Sequence, residues 1–143
     1  MIKFVKKKRY QNIIVTGATG FVGQNLIPLL LKKKYKIIAI SRNKIKAKKF
    51  KWYNDVNFVE MDLKKNNKKI EINTSTGLIH LAWDGLPNYN SKIHYENLDF
   101  SFKFIKSMLQ RGLKKILISG TCFEYGLKNG LKKSSMKTYP YNS

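Results

Sequence analysis

A single cysteine, Cys122, stands among the 143 residues, so no internal disulfide can form. The two histidines and that one thiol show no clustered spacing of the zinc-binding kind, and no metal is expected. No apolar run approaches the ~20 residues that span a bilayer. The opening MIKFVKKKRY is charged and lacks the apolar stretch of a secretory leader. These absences predict a soluble, reduced, cytoplasmic protein with no membrane partner. Acidic residues are also scarce, 8 against 29 basic ones, which gives a formal net charge of +21. Arginine is scarcer still: Arg9, Arg42 and Arg111 are the only three. Base-edge readers and bidentate phosphate clamps lean on arginine, not lysine. The lysines spread along the whole chain beside many Asn, Ile, Tyr and Phe residues, all with A/T-rich codons. The charge is therefore read as codon bias and a solvated surface, with no specific nucleic-acid partner. A lysine-rich nucleic-acid-binding protein stays open as a rival. Affinity for duplex DNA is expected to be non-specific and to fall steeply with salt. Sequence-selective binding that survives physiological salt would contradict this reading of the charge.

What is present is an alternation of elements over one domain, residues 1–143, long enough to bury roughly two-thirds of its surface. The run Asn12–Val15 predicts a buried strand, ended by Gly17. Helical spacing of Phe21, Val22, Leu26, Leu29 and Leu30 predicts a helix to about Lys33, bent or loosened at Pro28. Further strands are expected at Lys36–Ile40, Val56–Glu60, Thr76–Ala82 and Lys115–Ser119. A short helix is expected over Lys44–Phe50 and an exposed loop over Lys64–Lys69. A long helix, Ser91 to Gln110, is expected to bury Ile93, Leu98, Phe102, Ile105 and Leu109 and to stop at Gly112. Strands alternating with helices imply parallel pairing through right-handed crossovers. The expected fold is α/β, a Rossmann-like doubly wound parallel sheet of at least five strands.

The stretch VTGATGFVG places Gly17, Gly20 and Gly23 across a strand–turn–helix junction. Gly17 permits the tight turn. Gly20 removes a side chain where backbone approaches a pyrophosphate. Gly23 lets the helix pack closely. The helix start then offers unpaired N–H groups to phosphates. A glycine turn without a ligand is the plainer alternative, and the βαβ context weighs against it. Folds of this kind that bind NAD place a carboxylate at the end of the second strand for the ribose 2′-hydroxyl. Here Ser41 and Arg42 stand there instead. That favours a 2′-phosphate, hence NADP(H) over NAD(H), against Arg42 as one more surface cation.

Taken in order, TGATGFVG, VEMDL, IHLAW, Asn97 and ILISGTCFEYG make the chain similar to the extended short-chain dehydrogenase/reductase family. Its members are the NAD(P)-dependent nucleotide-sugar epimerases, dehydratases and reductases. The resemblance implies cofactor contacts from Thr19, Phe21 and Val22 in the glycine stretch. It implies an adenine-facing Asp62 with Leu63 beside it, and Leu81, Ala82 and Trp83 beside the cofactor ribose, with Asn97 behind them. LAWDGLPNY and SGTCFEYG look most like sugar-nucleotide 4-ketoreductases, although Asp84 stands where glycine is expected. The implied catalytic groups are Thr121, hydrogen-bonded to the sugar oxygen, and Tyr141, matching the tyrosine of a Y-x-x-x-K motif and passing a proton to it. Without that context Thr121 is a turn-capping threonine and Tyr141 an exposed aromatic. The family's dehydratases carry Asp–Glu after the threonine; Cys122 and Phe123 here imply reduction or epimerisation instead.

The lysine of that motif falls beyond Ser143. The sequence therefore reads as a C-terminally truncated copy, expected to be inactive by itself, with the nucleotide-sugar substrate bound only by a full-length form. A non-catalytic nucleotide-binding fragment is the main alternative. The oligomeric state stays open, a homodimer included. His80 is expected to be a satisfied core residue and His94 a helix-surface one. Trp83, Tyr89 and Tyr95 are expected to pack in the core rather than line a pocket. No spacing pairs Asp84 with Glu124.

Overall fold

The computed structural model describes residues 11–65, 70–127 and 129–140. Five strands form one sheet: β1 (Asn12–Thr16), β2 (Lys36–Ser41), β3 (Asn57–Glu60), β4 (Thr76–His80) and β5 (Lys115–Ile118). All pairings are parallel, in the order β3-β2-β1-β4-β5. The expected Rossmann-like sheet is thus the one observed. β1 lies in the middle, and the chain's direction of winding reverses between β1 and β4. In open α/β sheets the crevice at such a reversal, outside the carboxyl ends of the strands, is where ligands bind.

The elements follow from local chemistry. The β1 segment NIIVT buries Ile14, Val15 and Thr16 without alternation, as a strand covered on both faces must. Helix α1 (Phe21–Lys32) starts at Gly20 and runs unbroken through Pro28. Helix α2 is a single turn, Lys44–Ala47, capped by Asn43, whose Oδ1 accepts the Lys46 N–H at 2.7 Å. A 3-10 helix, Lys51–Asp55, follows it and buries Trp52. Its sequence, KWYND, has no 3.6-residue period to announce it. Helix α3 (Ile93–Gln110) ends as Gly112 enters the left-handed region at φ 95°.

Two cores cover the two faces of the sheet. Val15, Ala18, Ile27, Ile37, Ala39 and Trp52 form one, with α1 and the 3-10 helix. Ile14, Ile40, Met61, Leu63, Ile70, Leu78, Phe104, Met108 and Leu113 form the other, with α3.

The orientation of α3 differs from expectation. Its buried residues are Asn97, Ser101, Phe104 and Met108. Leu98, Phe102 and Leu109 face outward, with Leu98 and Phe102 each 63% exposed. The helix carries two apolar stripes, and the one nearest the strand ends is selected by Asn97, whose amide holds the segment after β4. Trp83, Tyr89 and Tyr95 are likewise exposed rather than core residues, because the segment 83–95 runs over the strand ends. Of the loop expected at 64–69, Lys64 and Lys65 are exposed and the rest lies outside the described residues.

Candidate functional site

A groove of about 250 Å³ opens at the carboxyl ends of β1, β2 and β4. The turn between β1 and α1 forms its floor. Gly17, at φ 68°, lets the chain reverse there, and a Cβ on it would lie 2.8 Å from the Leu81 carbonyl carbon. The turn is tied to both neighbouring strands: the Ala18 N–H donates to Ile40 O (3.1 Å) and the Leu81 N–H to Thr16 O (3.3 Å). Thr19 Oγ1 lies 2.6 Å from Ser41 Oγ. Gly23 is buried, and a Cβ there would come within 2.4 Å of Gly17 O. Its task is closer than expected: the helix packs directly on the turn's own carbonyls.

The first turn of α1 has no side-chain cap and no acidic residue. Its leading N–H groups have no partner within the helix, and the dipole adds positive potential. Gly20 leaves the approach bare of side-chain atoms. This end of the groove fits a pyrophosphate.

Gly17, Thr19, Gly20, Ser41, Arg42, Asp62, Leu63, Leu81, Ala82, Trp83 and Asn97 all line the groove. Phe21 and Val22 do not: their side chains point to solvent, 82% and 55% exposed, and only their backbone belongs to the helix start. Asn97 is fully buried and engaged: its Nδ2 donates to Asp84 O (2.9 Å) and its Oδ1 accepts the Asp84 N–H (3.3 Å). It positions the wall after β4. Asp62 accepts the Lys64 N–H at 3.1 Å, which fixes its carboxylate at the rim.

Lys46, Met61, Lys64, Asp84 and Phe100 also line the groove, and sequence reading had not placed them there. Lys46 had a signal, the Asn43 cap that starts its helical turn. Asp84 had only a statistical one, as one of few carboxylates in a cationic chain. It is paired with Arg42, whose Nη1 and Nη2 donate to its two oxygens at 2.7 and 2.8 Å.

Thr16 and His80 set the frame beneath. The Thr16 hydroxyl accepts the N–H groups of Leu81 (3.2 Å) and Ala82 (3.3 Å). Its own proton therefore goes to His80 Nδ1, 2.8 Å away. His80 then carries its proton on Nε2, which has no partner among the described residues. Burial pushes its pKa down to about 4. The core assignment of His80 stands, with one orphaned N–H. His94 is not a bare surface residue. Trp83 Nε1 donates to its Nδ1 (3.0 Å), its Nε2 donates to Asn88 O (2.7 Å), and the two rings stack.

Thr121 follows β5, is exposed, and does not line the groove; its carbonyl accepts the Glu124 N–H. Tyr141 lies outside the described residues. Among the described residues no three His, Cys, Asp or Glu side chains gather as a metal site. No helix among them is long and apolar enough to cross a membrane.

Comparison with known proteins agrees with this geometry. A dTDP-6-deoxy-L-talose 4-dehydrogenase (NAD(+)) of Aggregatibacter actinomycetemcomitans is 31% identical over 116 residues, 80% of this chain and 43% of that protein. UDP-glucose 4-epimerase from Bifidobacterium longum, solved with NAD+ and UDP, superposes with a TM-score of 0.70 at 20% identity. The match covers 90% of this chain and 42% of that one. The Stenotrophomonas maltophila UDP-glucose-4-epimerase, solved with NAD and formylated UDP-arabinopyranose, also gives 0.70, at 15% identity over 92% of this chain and 44% of its own. The chain thus spans less than half the length of these relatives. The model of the NAD dependent epimerase/dehydratase family matches residues 13–143, from β1 through the glycine turn to the last residue. A glycine turn at the reversal of a 3-2-1-4-5 sheet and this match over nearly the whole sequence agree: the chain belongs to the NAD dependent epimerase/dehydratase family.

Proposed function

We propose that this chain is the cofactor-binding part of a nucleotide-sugar oxidoreductase or epimerase, with 4-keto reduction the favoured reaction and NADP(H) the favoured cofactor. The observation that carries the reading is the groove itself, floored by the glycine turn. The bound nicotinamide cofactor would supply hydride exchange at a sugar carbon. The amides of the α1 start would hold its pyrophosphate. The Asp62 carboxylate would accept from the adenine amino group, and Leu63, Leu81 and Ala82 would pack against the adenosine. Arg42 and Lys46 give the groove cationic partners for a 2′-phosphate, and the end of β2 itself carries no carboxylate for the 2′-hydroxyl. Thr121 would hydrogen-bond the sugar oxygen, and Tyr141 would exchange a proton with it.

Titration of the 143-residue chain with NADPH and NADH, followed by calorimetry, tests the reading. Both are expected to bind, NADPH a few-fold more tightly, about one charged hydrogen bond shared with competing partners. Gly20→Asp is expected to weaken both by more than about tenfold through repulsion of the pyrophosphate. A Cβ at Gly20 meets Gly17 O at 3.2 Å, so the turn must give by a few tenths of an ångström, and a urea midpoint should confirm that the variant is folded. Undiminished binding by Gly20→Asp would overturn the placement of the phosphates.

A further inference from the structure

The Arg42–Asp84 pair reaches across the groove. Arg42 follows β2 and Asp84 follows β4, and these strands lie on opposite sides of β1. Both residues line the same cavity, whose floor is the glycine turn after β1. The pair therefore bridges the two walls above that turn. It is bidentate, at 2.7 and 2.8 Å, and occupies both terminal nitrogens of the guanidinium. Its side chains are 56% and 30% exposed, so water screens it and little free energy holds it shut. The Asp84 backbone is held separately, by the Asn97 amide, so the carboxylate can release Arg42 while the wall stays in place.

We infer that Asp84 is a specificity-determining residue: its carboxylate competes with the cofactor's 2′-phosphate for Arg42 and so limits the preference for NADP(H). The inference rests on the reading of the groove as a dinucleotide site. The chemistry is an exchange of anions on one guanidinium. A 2′-phosphate that takes the Nη1–Nη2 edge of Arg42 must break two charge-assisted hydrogen bonds, and one that uses the remaining Nε–H and outer Nη–H donors must share the cation with the Asp84 carboxylate beside it. NAD(H) carries no group that needs Arg42 and meets neither cost. Asp84 thus works against the phosphorylated cofactor twice, by occupying its cation and by repelling its charge.

The test is the ratio of NADPH to NADH affinity, measured calorimetrically on the 143-residue chain as wild type, Asp84→Asn, Arg42→Gln and the double variant. Asp84→Ser provides a second reading should the asparagine re-form a hydrogen bond to Arg42. Removing the carboxylate is expected to raise the ratio by about tenfold, the scale of one charge-assisted hydrogen bond, nearly all of it through NADPH. In the Arg42→Gln background the same change should move the ratio by clearly less than in the wild-type background, because the contested cation is gone and only the carboxylate's repulsion of the phosphate is left. An unchanged ratio in Asp84→Asn and Asp84→Ser would overturn the inference while leaving the cofactor site intact. So would an equal gain for NADH, which would make the bridge a steric barrier and nothing more. An equal shift without Arg42 would also overturn it. Failure of wild type to bind either nucleotide would overturn the site reading, and this inference with it.

Discussion

Replacing Gly23 with alanine is expected to destabilise the chain by about 3–5 kcal/mol, above the usual cost of overpacking because the clash is with backbone. That is enough to leave a marginally stable domain largely unfolded. The new Cβ would lie 2.4 Å from Gly17 O, 2.8 Å from Ala18 O and 2.9 Å from the Ala18 carbonyl carbon. These are backbone atoms, and they cannot turn aside as a side chain can. Gly17 O is further fixed by accepting the Gly20 N–H at 2.9 Å. Relief would require α1 to lift off the turn, and with it Ile27 would leave its core. Gly112→Ala is the control. No atom lies within 4 Å of a Cβ there, and only its φ of 95° resists the change, at about 1–2 kcal/mol. Urea midpoints of the two variants check this. A Gly23→Ala chain no less stable than Gly112→Ala would refute the close-approach account.

The second large effect is a loss of stability in acid caused by His80. Its pKa is lowered by burial from 6.5 to about 4. The unfolded chain therefore takes up a proton near pH 6.5, while the folded chain resists until about pH 4. Stability is complete above pH 6.5 and falls as pH drops through the window from 6.5 to 4. By pH 5 the loss is about 2 kcal/mol from this group alone. The geometry supports the direction: a proton on Nδ1 would destroy the acceptor that the Thr16 hydroxyl uses. His80→Asn keeps an acceptor near the Nδ1 position and has no proton to gain. Denaturation at pH 7.5 and pH 5 should show a steep fall for wild type and a shallower one for the variant. Parallel pH dependences would show that His80 is not the acid-sensitive group.

The strands were legible as apolar runs bounded by turn or charged residues: NIIV, KIIAI and KILI proved to be β1, β2 and β5 to within a residue, β1 and β2 because they are covered on both faces, β5 although Leu117 and Ile118 are each 57% exposed. The strand expected to reach Ala82 ends at His80: the Leu81 N–H is shared between the Thr16 carbonyl and the Thr16 hydroxyl, and the Ala82 N–H turns to the hydroxyl. The face of α3 was misread because pattern weighs apolarity, whereas the buried side carries the polar Asn97 and Ser101 beside Phe104 and Met108, and Asn97 ties it to the segment after β4. His94 and Asp84 were illegible for a different reason. Their partners, Trp83 at 11 residues and Arg42 at 42, are set by tertiary placement that no local period encodes. The glycine turn was legible because its demands are local: a positive φ and two close approaches within seven residues.

The groove belongs to no single stretch of the chain. The Thr16 hydroxyl holds amides 65 and 66 residues further on, and β1 has one wall on β2 and the other on β4. A β1–α1–β2 unit closes over a short loop, but the second wall forms only after a much longer segment returns to the other edge of β1. The unfolded chain therefore offers a dinucleotide nothing to recognise, and a half-built sheet offers the glycine turn without its second wall. By mass action, a ligand that binds only the finished sheet stabilises all of it, by about 2.7 kcal/mol at a hundred times its dissociation constant. On the function proposed here, the nucleotide pool would then govern the lifetime of the folded chain as well as its occupancy.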